Sequence, residues 1–280
     1  MMNIIEADRY ILGVSGGKDS AALAVYMSQE FPHLDIEYFF TDTGEELDEV
    51  YEFLDRLEII LQKKIVRLGG ENSFEDYLKK YNYFLPNAQQ RWCTSKLKIL
   101  PLEKWLRPDL LKGKRICSFV AIRADEPYRE GQVSKHENYF VDLPFRHAGI
   151  NKKEVHDLLE SSGIGKPAYY EWRSRSGCTF CFFQRKIEWV GLMERNPEAF
   201  EKAKRLEQKS LEKGSPFTWL ENEKLEDLEK PERIAQIRKN HDESIKRAMV
   251  KMKINPLNPQ EYLDDDDFLG QSKFCITCHK

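Results

Sequence analysis

Short apolar bursts alternate with longer amphipathic stretches through the first half of the chain. Tyr10–Val14 is a burst of strand length, and the turn-rich Ser15-Gly16-Gly17-Lys18-Asp19-Ser20 follows it. The apolar run Ala21–Met27 then continues without a breaker, so the pattern predicts strand, glycine turn, helix. Asp35–Phe40 predicts a second strand, closed by Thr41-Asp42-Thr43-Gly44. Leu47, Val50, Tyr51 and Leu54 recur at helical spacing and predict a helix over 46–57. Further strands are predicted over 65–68 and over 116–122, the latter followed by Arg123-Ala124-Asp125-Glu126; the stretch 139–144 brings the chain back. Strand–helix alternation of this kind predicts an α/β fold, a parallel sheet with flanking helices and right-handed crossovers.

The pattern changes in the second half. An amphipathic helix is predicted over 152–162, another over 186–194, and a third from Pro197, where proline suits the first turn. Residues 197–213 and 231–251 are long, charged and weakly amphipathic, the signature of a C-terminal helical region. The run Asp264–Asp267 reads as a solvated linker. The expected organisation is a parallel-sheet domain carrying the glycine turn over 1–150, a cysteine-bearing completion of the core over 151–212, and a helical appendage with a cysteine-containing tail over 213–280.

Composition narrows the classes. At 280 residues the chain can bury a sizeable core, and its net charge of −3 gives no global basic footprint for nucleic acid. No apolar run is long enough to span a membrane, and the acidic start MMNIIEADRY does not resemble a secretion leader. A cytoplasmic protein is the expectation. Of the 6 cysteines, Cys178/Cys181 and Cys275/Cys278 form C-x-x-C pairs, which in such a compartment point to metal or redox chemistry. Cys117, inside an apolar strand pattern, reads as a small core residue.

The glycine turn carries the clearest chemistry. Gly16 and Gly17 let backbone N–H groups approach a ligand, the helix N-terminus adds its positive dipole end, and Lys18 adds a mobile charge. Such a turn favours phosphate. It is not the common nucleotide P-loop, which would need glycine where Leu12 stands and Ser or Thr where Asp19 stands. Ligands of parallel sheets bind beyond the carboxyl ends of the strands, so Asp42 and Arg123 fall on the same rim as the turn. Simpler roles compete: an ordinary glycine turn, a turn aspartate at Asp42, and a surface ion pair of Arg123 with Asp125 or Glu126.

SGGKDS at 15–20, TDTG at 41–44, RWCT with LK and P over 91–101, IRADE at 122–126 and SGCTFC at 176–181 occur in one order. Together, over about residues 8–210, they resemble the phosphoadenylyl-sulfate reductase family of ATP-pyrophosphatase-like proteins. The resemblance implies an adenine-nucleotide α-hydrolase-like fold and cleavage of ATP between its α- and β-phosphates. It implies an ATP site of Ser15, Gly16, Gly17, Lys18, Asp19, Ser20, Asp42 and Arg123, with Mg²⁺, in which Lys18, Asp19 and Arg123 are the catalytic groups.

Within that family the motifs are most similar to the iron–sulfur ATP pyrophosphatase subunit of DNA phosphorothioation systems. The loop is complete, RWCT is followed by LK, and the tail lacks the reductase ending Glu-Cys-Gly-x-His. This branch implies adenylation of an acceptor, a DNA backbone phosphate reached through a complex, for sulfur insertion. A cysteine desulfurase or other sulfur donor is the implied partner, and a homodimer is left open. Two alternatives stand: a sulfonucleotide reductase using a C-terminal cysteine, since Cys278-His279 lies near the end, and a non-catalytic nucleotide-binding scaffold. The cysteines allow a [4Fe-4S] cluster on Cys93, Cys178 and Cys181, with Cys275 or Cys278 fourth and Cys278 preferred, or a structural Zn²⁺ on Cys178, Cys181, Cys275 and Cys278. An arrangement without metal is the third. Trp172, Arg173 and Arg175 form a nucleic-acid face or, on the simpler reading, Trp172 is core and the two arginines line the ATP or cluster site.

Overall fold

The computed structural model describes residues 4–129 and 136–252. Cys275, Cys278 and the Asp264–Asp267 run lie outside the described residues. In chain order the elements are β1 (Arg9–Gly13), α1 (Lys18–Glu30), β2 (Ile36–Asp42), α2 (Asp48–Leu61), β3 (Ile65–Gly69) and α3 (Phe74–Lys80). A π-helical turn, Thr94–Ile99, runs directly into α4 (Leu100–Leu111); β4 (Ile116–Phe119), β5 (Tyr139–Asp142), α5 (Pro144–Ala148) and α6 (Lys152–Ser161) follow. A 3-10 turn, Ala168–Glu171, precedes α7 (Lys186–Arg195), α8 (Pro197–Glu212), α9 (Leu225–Leu228) and α10 (Pro231–Met252). The described residues divide into two compact units, one drawing on the residues up to Phe74 and on Trp92–Tyr170, the other on Glu75–Arg91 and on residues 171–252.

The first unit is the expected parallel sheet, in the order β3-β2-β1-β4-β5. Tyr10 of β1 lies opposite Ile36 on one side and Cys117 on the other. The strand order reverses between β1 and β4, and in open parallel sheets that is where ligands bind. Ile11, Leu12, Ile116, Cys117 and Phe119 are buried because helices cover both faces. Helix α1 is buried almost all round, which explains its small residues Ala21, Ala22 and Ala24. Helix α6 starts at a capping box: Asn151 Oδ1 accepts from Lys153 N at 2.8 Å, and Glu154 Oε2 accepts from Asn151 N at 2.9 Å.

Two strand ends differ from the pattern-based expectation, and both matter at the rim. Strand β2 runs two residues further than expected, because Thr41 and Asp42 continue the ladder opposite Leu68 and Gly69. Strand β4 stops at Phe119, well short of residue 122. Val120 N still donates to Asp142 O, but Ile122 N turns back to Val120 O, so Arg123 sits on a loop beyond the ladder. Helix α2 likewise begins at Asp48, after a turn closed by the bond from Thr43 Oγ1 to Glu46 Oε1 at 2.9 Å.

The second unit packs α7, α8, α9 and α10 around an aromatic core. Trp219 lies 5.4 Å from Phe180 and 6.1 Å from Trp189, ring centre to ring centre. Glu207 is buried beside it, accepting from Trp219 N at 2.9 Å and Leu225 N at 2.7 Å. Burial pushes its carboxyl up, against the opposing pull of those two amides. Trp172 packs on Gly191 of α7, where a Cβ would come within 2.7 Å of the indole. Among the described residues no helix is long and apolar enough to cross a membrane.

Candidate functional site

The glycine turn follows β1 and opens α1 as the sequence predicts. Gly16 has φ +74°, and a Cβ there would stand 2.7 Å from Val50 Cγ1 of α2. Both the conformation and the space therefore require glycine. Gly17 is the extended N-cap of α1. The two serines close the turn from within: Ser15 N donates to Ser20 Oγ at 3.1 Å, and Ser20 Oγ donates to Gly17 O at 3.2 Å.

The charged side chains of the turn form a buried network. Lys18 is only 1% exposed, so the mobile charge expected from the sequence is instead packed in place. Its Nζ lies 3.4 Å from Asp19 Oδ2 and 5.5 Å from the centre of the Tyr170 ring. Asp19 Oδ1 accepts from Arg123 Nη1 at 3.0 Å, so Asp19 bridges Lys18 and Arg123 and orients the turn. Arg123, 3% exposed, also donates from Nε to Asp125 Oδ1 at 2.9 Å. The ion pair with Asp125 is thus present, but the same guanidinium reaches back to the turn, which a surface pair would not do. Burial opposes the Arg123 charge; Asp19, Glu126 and Asp125 overcome it and raise the guanidinium above its ordinary value. Glu126 is buried and pairs with Arg129 Nη1 at 2.7 Å.

Asp42, the last residue of β2, takes the turn role. Its Oδ1 accepts from Gly44 N and from Tyr51 Oη, each at 2.8 Å. Burial, then the bond to Asp42, raises the Tyr51 phenol. Four residues of this rim carried no readable signal. Tyr169 Oη donates to Gly16 O at 2.7 Å, and Tyr170 Oη accepts from Lys18 N at 3.3 Å. Asp142, buried at the end of β5, lies 2.9 Å from His147 Nε2. Nothing local in KPAYYEW marks a pair of tyrosines that closes on a turn so distant in the chain.

The second unit carries the other candidate, the turn around Cys178 and Cys181. Arg173, 2% exposed, donates from Nη2 to Cys178 O at 2.6 Å. Gln184 clamps Cys181 twice, accepting from Cys181 N at 2.6 Å through Oε1 and donating its own N–H to Cys181 O at 2.8 Å. Arg173 Nε and Nη1 and Gln184 Nε2 are buried with no hydrogen-bond partner among the described residues. Glu188 lies below, accepting from Ser174 N and Arg185 N at 2.9 Å each and from Ser174 Oγ. Burial works against its charge; Arg185 and Arg173 outweigh it and hold the carboxyl below its usual range. Arg91 and Arg175 each stack on Phe183, at 5.2 and 5.1 Å.

Cys93 belongs to the first unit, directly before the π-helical turn. Among the described residues no three His, Cys, Asp or Glu side chains are disposed to hold a metal ion, and Cys275 and Cys278 lie outside them. Two thiols on one turn do not by themselves fit a cluster or a zinc ion. Cys117 is the core residue expected: burial, reinforced by Asp142, pushes its thiol up to about 12.

This arrangement is a parallel-sheet domain with a glycine turn and a charged network at the carboxyl ends of its strands. Residues 9–137, a little under half of the chain, match the family model of the phosphoadenosine phosphosulfate reductase domain. Two uncharacterized proteins of Methanocaldococcus jannaschii are similar in sequence. One is 28% identical over 198 residues, 69% of this chain and 40% of that protein; the other is 27% identical over 201 residues, 67% and 45%. The chain therefore spans less than half the length of these relatives. Among solved structures it is similar to phosphoadenylyl-sulfate reductase from Candida auris, with TM-score 0.47, 13% identity, and coverage of 61% of this chain and 81% of that one. It is also similar to the NH3-dependent NAD synthetase of Campylobacter jejuni, with TM-score 0.38, 15% identity, and coverage of 75% and 89%.

Proposed function

We propose that this chain is an ATP pyrophosphatase that adenylates an acceptor and so prepares it for sulfur insertion. The observation that carries the reading is the rim itself: the Gly16-Gly17 turn at the N-terminus of α1, wired through Asp19 to Lys18 and Arg123 where the strand order reverses. An oxygen of the acceptor attacks the α-phosphorus of ATP, and the anhydride bond to the β-phosphate breaks, its electron pair leaving with pyrophosphate. Charge develops on that leaving group. Turn amides, the α1 dipole, Lys18 and Arg123 are placed to stabilise it, with Mg²⁺ arriving as part of the nucleotide substrate. The terminal sulfur of a carrier persulfide then displaces AMP and leaves the acceptor joined to the carrier by an S–S bond; a second thiol breaks that bond, the sulfur staying on the acceptor, and the disulfide so formed is returned to thiols by an external dithiol reductant.

The acceptor we favour is a DNA backbone phosphate, with a cysteine desulfurase as sulfur source. The turn of Cys178 and Cys181 supports sulfur handling in this same chain, with Cys93 as a further thiol. A [4Fe-4S] cluster or a zinc ion would need tail cysteines to complete the ligand set, and iron and zinc analysis of anaerobically purified protein tests for either. The reductase reading keeps one specific support, the family match over residues 9–137. Pyrophosphate release from ATP, with and without DNA and a persulfide donor, separates the two. Turnover lost in Lys18→Ala supports the pyrophosphatase; sulfite release from a sulfonucleotide, with ATP left intact, would replace it by the reductase.

A further inference from the structure

The two neighbouring tyrosines at the glycine turn make unequal contacts. Tyr169 is buried, and its hydroxyl donates to Gly16 O at 2.7 Å. Tyr170 stacks on it, ring centres 4.8 Å apart, and only half-buried it accepts from Lys18 N at 3.3 Å. The first bond is short and sealed; the second is long and neutral. Lys18 is the first residue of α1, and its N–H is one of the helix-terminal donors that no carbonyl of the helix can satisfy. An anion at this turn would draw on that donor. The phenol oxygen of Tyr170 now stands on it, and the same ring faces the Lys18 ammonium.

We propose that Tyr170 is a displaceable latch on the phosphate seat, and that Tyr169 is the positioning residue that keeps the turn in shape while the latch moves. The proposal rests on the reading of this turn as a pyrophosphate seat. A phosphate oxygen bound to Lys18 N makes a charge-assisted bond, about twice as strong as the neutral one it replaces. The phenol therefore yields to the ligand but holds the donor satisfied until it arrives. The latch also restrains Lys18, because leaving the amide carries the ring away from the ammonium. Nucleotide entry and release of the lysine thus become one event. Tyr169 remains through its bond to Gly16 O, so the positive-φ turn does not relax when its neighbour leaves.

Calorimetric titration of the full chain with inorganic pyrophosphate and with Mg-ATP tests this. Tyr170→Phe keeps the ring and removes only the competing oxygen, so both ligands should bind about three- to ten-fold tighter. Tyr170→Leu, which also removes the ring from Lys18, should shift affinity in the same direction. Tyr169→Phe should weaken binding. A merely structural pair would weaken binding in all three. Unchanged or weaker binding by both Tyr170 variants, with native near-ultraviolet dichroism, overturns the latch while leaving the seat in place. Binding by neither the natural chain nor the Tyr170 variants overturns the seat, and the latch with it. Binding by the Tyr170 variants alone supports both.

Discussion

The glycine turn and the cysteine turn hold their charges in opposite ways. At the glycine turn Lys18 and Arg123 are answered by Asp19, Asp125 and Glu126. At the cysteine turn Glu188 answers Arg185 and, through space, Arg173, yet Arg173 and Gln184 keep buried N–H donors that nothing described accepts. The first site holds its charges in mutual balance, so a ligand there would have to exchange partners. The second is built with hydrogen-bonding capacity left over. A buried unmatched donor costs about 1–3 kcal/mol, so those N–H groups are kept against stability. The difference teaches that removing a charge at the glycine turn should cost activity more than fold, whereas removing the carboxylate under the cysteine turn should cost fold first.

Substitutions can break that contrast. The largest expected effect is that of Glu188→Ala, which takes the carboxylate away from buried Arg173 and half-buried Arg185. It should destabilise the protein by ~3–5 kcal/mol in a urea unfolding series. Lys18→Ala should lower pyrophosphate release by about 10²–10³-fold while moving the unfolding midpoint far less. If Lys18→Ala proves the more destabilising of the two, the contrast is wrong. Gly16→Ala should cost ~1–3 kcal/mol, because the added methyl meets Val50 and the backbone there has positive φ. Its cost should shrink when Val50 is also cut to Ala.

The smallest effect is a pH dependence. The Glu188 carboxyl titrates below its unfolded value, so the stability it contributes is present above the usual carboxylate pKa and lost as pH falls through the folded one. Glu207 has the opposite sign, its raised carboxyl favouring the native state most at low pH. Glu188→Gln should therefore flatten the loss of stability on acidification below about pH 5. A steeper acid limb in that variant would assign the buried charge to another group.

Much of the first unit was legible in the chain, because a parallel strand buried on both faces reads as a plain apolar run, as at Ile11–Gly13. The glycine turn was legible because only a few residue types tolerate its backbone. Strand ends were less so. Ile122 is as apolar as Phe119, and only the backward bond of Ile122 N to Val120 O separates loop from ladder. The role of Asp19 needed Arg123, which lies 104 residues away. Tyr169 and Tyr170 were silent because their hydroxyls meet backbone atoms, which leave no trace in the pattern of side chains. Helix α3 and the π-helical turn were missed as well, being short and half-polar.

Val50 and Tyr51 are consecutive on α2, yet they serve different neighbours: Val50 fills the space beneath Gly16, and Tyr51 holds Asp42. A single helix thus acts as a gauge block between the first two strand ends. Rolling it by one residue, about 100°, would disengage both contacts together. The spacing of the rim is therefore set by two uncharged side chains of α2, and damage to that helix would be felt as a misfit at the glycine turn.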